Sequence, residues 1–443
     1  MVDYVNCFDL LDSATSLSTI TLFPKTAHVL LFPGNEDWLL LNTLAMLSAH
    51  AGFVPLVVIW AVFLLVFFPG HGRAYQALSD ETLKNLPRAD EDFNIDSGVL
   101  LSPILRTRVP GTPGHTAVLN HFADFFRTTL PSWNVEYQNA TYKTPVSKGK
   151  DVPFANFIAS RDPPWAPVGD VGRVTFVAHY DSKYEPTGFI GAIDSAAPCA
   201  MIMHAMRSID GALTRKWESM KAQGQTEATL EEHKGIQIIF LDGEEAFYKW
   251  TETDSLYGAR ALAEHWDNEV NPAMSAFKTP LSSISLFVLL DLLGSKDPAV
   301  MSHYQTTHWA YQKMATAEKR LRALKQFKSA SGSTLEEPWL IDGSKNDHQI
   351  ISLNSIQDDH VPFLMRGVDI LHVIDAAPHK GFPKVWHKMD DHGGNLDLPT
   401  VDDWSLLVTV FAAEWMELEG HFHGPSEAGK RSKKGYTWDK TEL

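Results

Sequence analysis

Cysteine is nearly absent: the 443 residues hold two, Cys7 and Cys199. Two thiols so far apart build neither a multi-cysteine zinc site nor a disulfide framework. Cys199 stands in the apolar stretch DSAAPCAMIM and is expected as a buried thiol. Cationic charge is also short. Lys and Arg total 38 against 54 Asp and Glu, a net charge of −16, which argues against a nucleic-acid binder, because such a surface must replace counterions. The marked basic cluster, KRSKK at 430–434, lies in a polar tail spanning 426–443 and reads as a solvated terminus. There is no internal repeat and no H-E-x-x-H sequence, so two zinc-binding histidines one helical turn apart are excluded.

One stretch lacks charge altogether. From Trp38 to Gly70 there is no Asp, Glu, Lys or Arg, and FVPLVVIWAVFLLVFF at 53–68 is its most apolar part. A bilayer span needs about 20 apolar residues, so residues 1–74 are expected to be an extension carrying a signal peptide or a membrane anchor. Met46 offers an alternative start. A compact signal would then run from MLSAH through the apolar core, with Gly72 and Ala74 as small residues near a cleavage point before Tyr75. Either route delivers the remainder to the secretory pathway, to be secreted or anchored with its bulk in the lumen or outside the cell. The sequon Asn139-Ala140-Thr141 fits that placement as a glycosylation site.

Residues 75–425 alternate in an α/β manner. Strands are expected at 134–142, 154–160, 173–180, 236–242, 284–291 and 368–374. Helices are expected at 114–129, 194–210 (opening at Asp194-Ser195), from Asp254-Ser255, at 303–325 and at 400–419. In the last of these, Val401, Trp404, Val408, Phe411, Trp415 and Leu418 recur every three or four residues, the stripe of a packed helix. The polar segments 217–234 and 325–348 read as surface elaborations.

The strand ends carry a second pattern. VTFVAHYDSK ends in His179 and Asp181, IIFLDGEEAF in Glu244 and Glu245, and LFVLLDLLG in Asp291. VDILHVI leads to a loop holding VWHKMDD with His387, and Asp194 opens the segment after GFIGAI. In open α/β sheets, sites form at the carboxyl ends of strands. Five segments therefore deliver acids or imidazoles to one edge. Zinc takes such ligands, with three from the protein and one position open. Adjacent glutamates point in different directions, so one can bind a metal while the other acts as general acid or base beside it. Trp250, Phe382 and Trp386 lie near these groups in sequence and suggest a narrow apolar pocket with polar groups at its base.

AHYDSKY, GAIDSAAPCAM, FLDGEEAF followed by Trp250 and DSLYGAR, VLLDLLG, QDDHVPFLMRGV and VWHKMDD together resemble the glutaminyl-peptide cyclotransferases, or glutaminyl cyclases. The resemblance runs in order through residues 75–420. It implies a three-layer α/β/α sandwich around a mixed, mostly parallel sheet, like that of the zinc aminopeptidases. The implied reaction is the cyclisation of N-terminal Gln on peptides and proteins to pyroglutamate, with release of ammonia. It further implies one zinc per chain, held by Asp194, Glu245 and His387. Glu244 would be the acid/base, with Asp291 beside it. Asp358 and Gln357 would contact substrate, Trp250, Phe382 and Trp386 would line the pocket, and His179 and His360 would stand behind the site. The rival reading is a secreted two-zinc aminopeptidase, since His179, Asp194, Glu244, Glu245, Asp291 and His387 supply its ligand types. Against it, Ser195 follows Asp194 where those peptidases usually carry a second acid or Asn. A binding module without catalysis is a third reading; it fits poorly, because no expected catalytic residue is missing.

Overall fold

The computed structural model describes residues 76–226, 233–334, 337–351 and 356–422. The expected leader or anchor at 1–74, the 53–68 run and the basic tail lie outside these residues. Among the described residues, no helix is long and apolar enough to cross a membrane.

Six strands form one sheet in the order β1-β2-β4-β3-β5-β6. They are β1 (Asn134–Lys143), β2 (Asp151–Arg161), β3 (Gly172–His179), β4 (Lys234–Leu241), β5 (Ile284–Asp291) and β6 (Ile370–Ile374). The β1/β2 and β2/β4 pairs are antiparallel, and β4, β3, β5 and β6 run parallel. Every expected strand is present. β3, β4 and β5 are apolar on both faces because both are covered. Val174, Phe176, Ile236, Ile238, Leu286 and Val288 pack on one side with α2 (Pro113–Thr129), α3 (Ala197–Ala222), α5 (His308–Ala323) and α7 (Leu398–Trp415). The alternate residues Val177, Ile239, Phe287 and Leu289 pack on the other side against Leu262 and Trp266 of α4 (Tyr257–Asn268). The result is the three-layer sandwich. Two short helices, α1 (Asp80–Asn85) and α6 (Val361–Leu364), were not foreseen.

The helix expected from 303 begins at His308, and two other helix starts differ from expectation because an acid is used elsewhere. Asp194 and Ser195 are not helical (φ −121°, ψ 74° and φ −128°, ψ 47°), and α3 begins only at Ala197. Asp254 does not open α4. Its carboxylate accepts the N–H groups of Phe247, Tyr248 and Lys249 at 2.9–3.0 Å, which fixes the loop leading to Trp250. The reading of 217–234 and 325–348 as surface elaborations is also corrected. Residues 217–222 complete α3 with Trp217 buried, and Trp339 is 1% exposed. Trp339 stacks between Phe327 and Trp404 with centroids 5.0 Å away on each side. The Trp339→Ala variant empties the centre of that stack, so its unfolding free energy in a urea titration should fall by about 3–5 kcal/mol. The Cys199 thiol is buried as expected, and burial pushes it up to about 12.

Candidate metal centre and active site

The carboxyl ends of β3, β4 and β5 are adjacent in the sheet, so the chain is steered to one edge by register alone. After β4, Gly243 turns the chain at φ +68°, where a Cβ would meet the Phe154 ring at 2.4 Å. The N–H groups of Glu244 and Glu245 then bond the two oxygens of Asp181, at 3.0 and 3.2 Å. This pins the pair and turns its two side chains to different tasks.

Glu245 sends Oε2 to Lys183 Nζ at 2.7 Å and leaves Oε1 buried without a hydrogen-bond partner. Asp194 behaves alike: Oδ1 meets His179 Nε2 at 2.9 Å, and Oδ2 is buried and unpartnered. His387 Nε2 lies 3.5 Å from each of these two orphan oxygens. Burying a carboxylate oxygen with no partner is costly. Two such oxygens converging on one imidazole nitrogen form a donor set suited to zinc. Among the described residues, two other groups of ligating type are close enough to hold an ion, but hydrogen bonds already engage their members. In the first, His179 holds Asp194 Oδ1, while Ser195 Oγ and the Leu292 N–H donate to Asp291 Oδ1. In the second, His372 Nε2 meets Asp358 Oδ2 at 2.8 Å, and Tyr304 Oη meets His360 Nε2 at 2.7 Å.

Glu244 is free of the orphan pair and faces a cavity of about 380 Å³, with Asp194, His387, Asp291, Gln357 and Asp358 also in its lining. Burial, reinforced by the charge of Glu245, raises the Glu244 carboxyl well above the usual range. Asp291 and Asp358 are raised too, first by burial. Burial lowers His360 and His372 to about 3, so both stay neutral at neutral pH.

The aromatic walls are Trp250, Phe382 and Trp386. Phe382, Trp386 and His387 form a continuous stack with 4.1 Å between successive centroids. On the facing wall Trp250 Nε1 donates to Gln357 Oε1 at 2.9 Å, joining two loops far apart in sequence. The expected site residues therefore meet at one edge, with Glu245, His179 and His360 outside the cavity lining itself, whereas Asn139 is exposed on edge strand β1. Sequence reasoning missed Lys183, Ser195, His372 and Asp391. His372 carried a readable signal, a lone polar residue inside the apolar run of β6.

Residues 165–412 match Peptidase family M28. Over 321 residues the chain is 36% identical to the glutaminyl-peptide cyclotransferase-like protein of Bos taurus, spanning 72% of this chain and 74% of that one. The chain belongs to the glutaminyl-peptide cyclotransferase family. It is also 34% identical over 323 residues to the glutaminyl-peptide cyclotransferase of Boiga irregularis, covering 72% of this chain and 80% of the relative. The solved glutaminyl cyclase of Macrostomum lignano superposes with a TM-score of 0.62 at 30% identity, covering 79% of this chain and 96% of that one.

Proposed function

We propose that this enzyme cyclises N-terminal glutaminyl residues of peptides and proteins to pyroglutamate, releasing ammonia. The observation that carries the reading is the pair of orphan oxygens, Asp194 Oδ2 and Glu245 Oε1, facing His387 Nε2 beside a separately buried Glu244. Asp194, Glu245 and His387 would hold one zinc per chain. When bound, it supplies a Lewis acid that polarises the side-chain carbonyl of the substrate Gln.

The rest is positioning and proton movement. Attack of the α-amine on the side-chain amide carbon is intramolecular, so the protein gains most by folding the Gln side chain back on its own amine. Trp250, Phe382 and Trp386 supply the narrow walls for that fold and exclude water. Gln357 and Asp358 offer polar contacts to the substrate main chain. As the new C–N bond forms, Glu244 takes the proton that the amine must lose. It returns that proton to the departing amide nitrogen as the old C–N bond breaks, and ammonia leaves. A carboxyl raised by burial suits both directions of transfer. Asp291 and Asp358, which line the same cavity, have their carboxyls raised as well, first by burial.

We read residues 75–425 as the catalytic domain, preceded by a leader or anchor at 1–74 that brings it into the secretory pathway. A glycan at Asn139 fits, since that side chain is exposed on the sheet edge. Purified protein incubated with a Gln-initiated and an Ala-initiated peptide tests the activity. The expected result is ammonia from the first and no free amino acid from either. Free glutamine or alanine would identify a peptidase instead.

A further inference from the structure

The proposed ligands Asp194 and His387 come from loops almost two hundred residues apart. His387 sits at φ +56°, in the left-handed region that side-chain-bearing residues rarely adopt. Asp194 and Ser195 fall outside helical geometry just before α3. The left-handed conformation of His387 persists only where its surroundings determine it.

The contact between the loops is made four residues after His387. Asp391, 1% exposed, accepts the Ile193 N–H on Oδ1 at 2.9 Å, and its main-chain carbonyl accepts the Ala192 N–H at 3.3 Å. Its own N–H closes a turn onto Lys388 O at 2.9 Å, so the anchor and His387 move as one piece. Beneath the Asp194 loop lies Arg108, fully buried. Its guanidinium donates to the carbonyls of Tyr180 (2.6 Å), Ile190, Gly191 (2.9 Å) and Asp194 (3.2 Å). The charges of Asp181, Asp194 and Asp391 act on Arg108 against the cost of its burial.

We propose that Asp391 is a positioning residue: it clamps the His387 loop onto the Asp194 loop and so sets the spacing of two metal ligands, with Arg108 holding the second loop from below. This rests on the assignment of Asp194 and His387 as ligands. Residues that orient metal ligands from outside the coordination sphere typically change metal affinity by about 10–100-fold when removed. The clamp acts through an acceptor at one place. Asp391→Asn keeps an acceptor for the Ile193 N–H, Asp391→Ala removes it, and Asp391→Glu displaces it on a longer stem.

The test is zinc affinity by chelator competition on the full chain, with the visible spectrum of the cobalt-loaded protein and the Tm of the metal-free protein recorded for each variant. The expected result is a loss of about 10–100-fold in zinc affinity for Ala and an altered cobalt spectrum. Asn should recover most of that loss, and Glu should not. Wild-type zinc affinity and spectrum in a folded Asp391→Ala protein overturn the clamp, as does an equal loss in Asn and Ala. If the Ala variant does not fold, the Asn and Glu pair decides: Asn binding more tightly than Glu supports the clamp, and the reverse order overturns it. A His387→Ala control separates the two levels, since unchanged zinc affinity there means that the ligand assignment has failed.

Discussion

Glu244→Gln should lower turnover of a Gln-initiated peptide by about 10²–10⁴-fold while leaving the bound zinc in place, because general acid–base catalysis typically contributes that much. The substitution keeps the size of the side chain and removes its ability to carry a proton. Glu244 faces the cavity and stands apart from the orphan oxygen pair, so the metal should not sense the change. Glu245→Gln should fail in the opposite way. Its Oε1 is one of the two orphans and its Oε2 pairs with Lys183 at 2.7 Å, so the loss of charge weakens both contacts. Zinc affinity should fall, and excess zinc should restore part of the activity. Steady-state kinetics beside elemental analysis of both variants measures the contrast. Zinc lost with Glu244 and kept with Glu245 would exchange the two roles.

His387→Ala should lose zinc and activity together. Its imidazole is the one neutral-type donor facing the two orphan carboxylate oxygens, at 3.5 Å from each. Without it, two buried carboxylates would have to hold a divalent ion on their own beside Glu244. The variant should still fold, because His387 lies on a surface loop, half-buried, and among the described residues its ring stacks on Trp386 alone, at 4.1 Å. A near-wild-type Tm in the metal-free state with zinc content close to nothing is the expected pair of readings. Retained zinc with lost turnover would place His387 in catalysis and outside the coordination sphere.

The sheet was legible in the sequence because β3, β4 and β5 are buried on both faces, and such strands can only be written as continuous apolar runs. The site was legible for a related reason: acids at the ends of those runs are too costly to place there without a task. The two misread acids share one physical origin. Asp194 and Asp254 look like helix caps, since an acid before an apolar periodic stretch usually is one. Here tertiary partners claim them, His179 for the first and three loop N–H groups for the second. Lys183, Ser195 and Asp391 were hidden because their roles depend on loops meeting in space. Nothing local in SKY, DSA or MDD says which distant group each will touch. Trp339 was misplaced because the polar residues around it dominate the composition of its segment, while its own ring is the middle of a buried stack.

Anomalous diffraction collected at the zinc edge, on crystals grown with zinc, tests the metal centre at the heart of this account most directly. The prediction is a single peak per chain, enclosed by Asp194 Oδ2, Glu245 Oε1 and His387 Nε2, with Glu244 beside it and unligated. A second peak between His179 and Asp291, or no peak among the three named atoms, would contradict it.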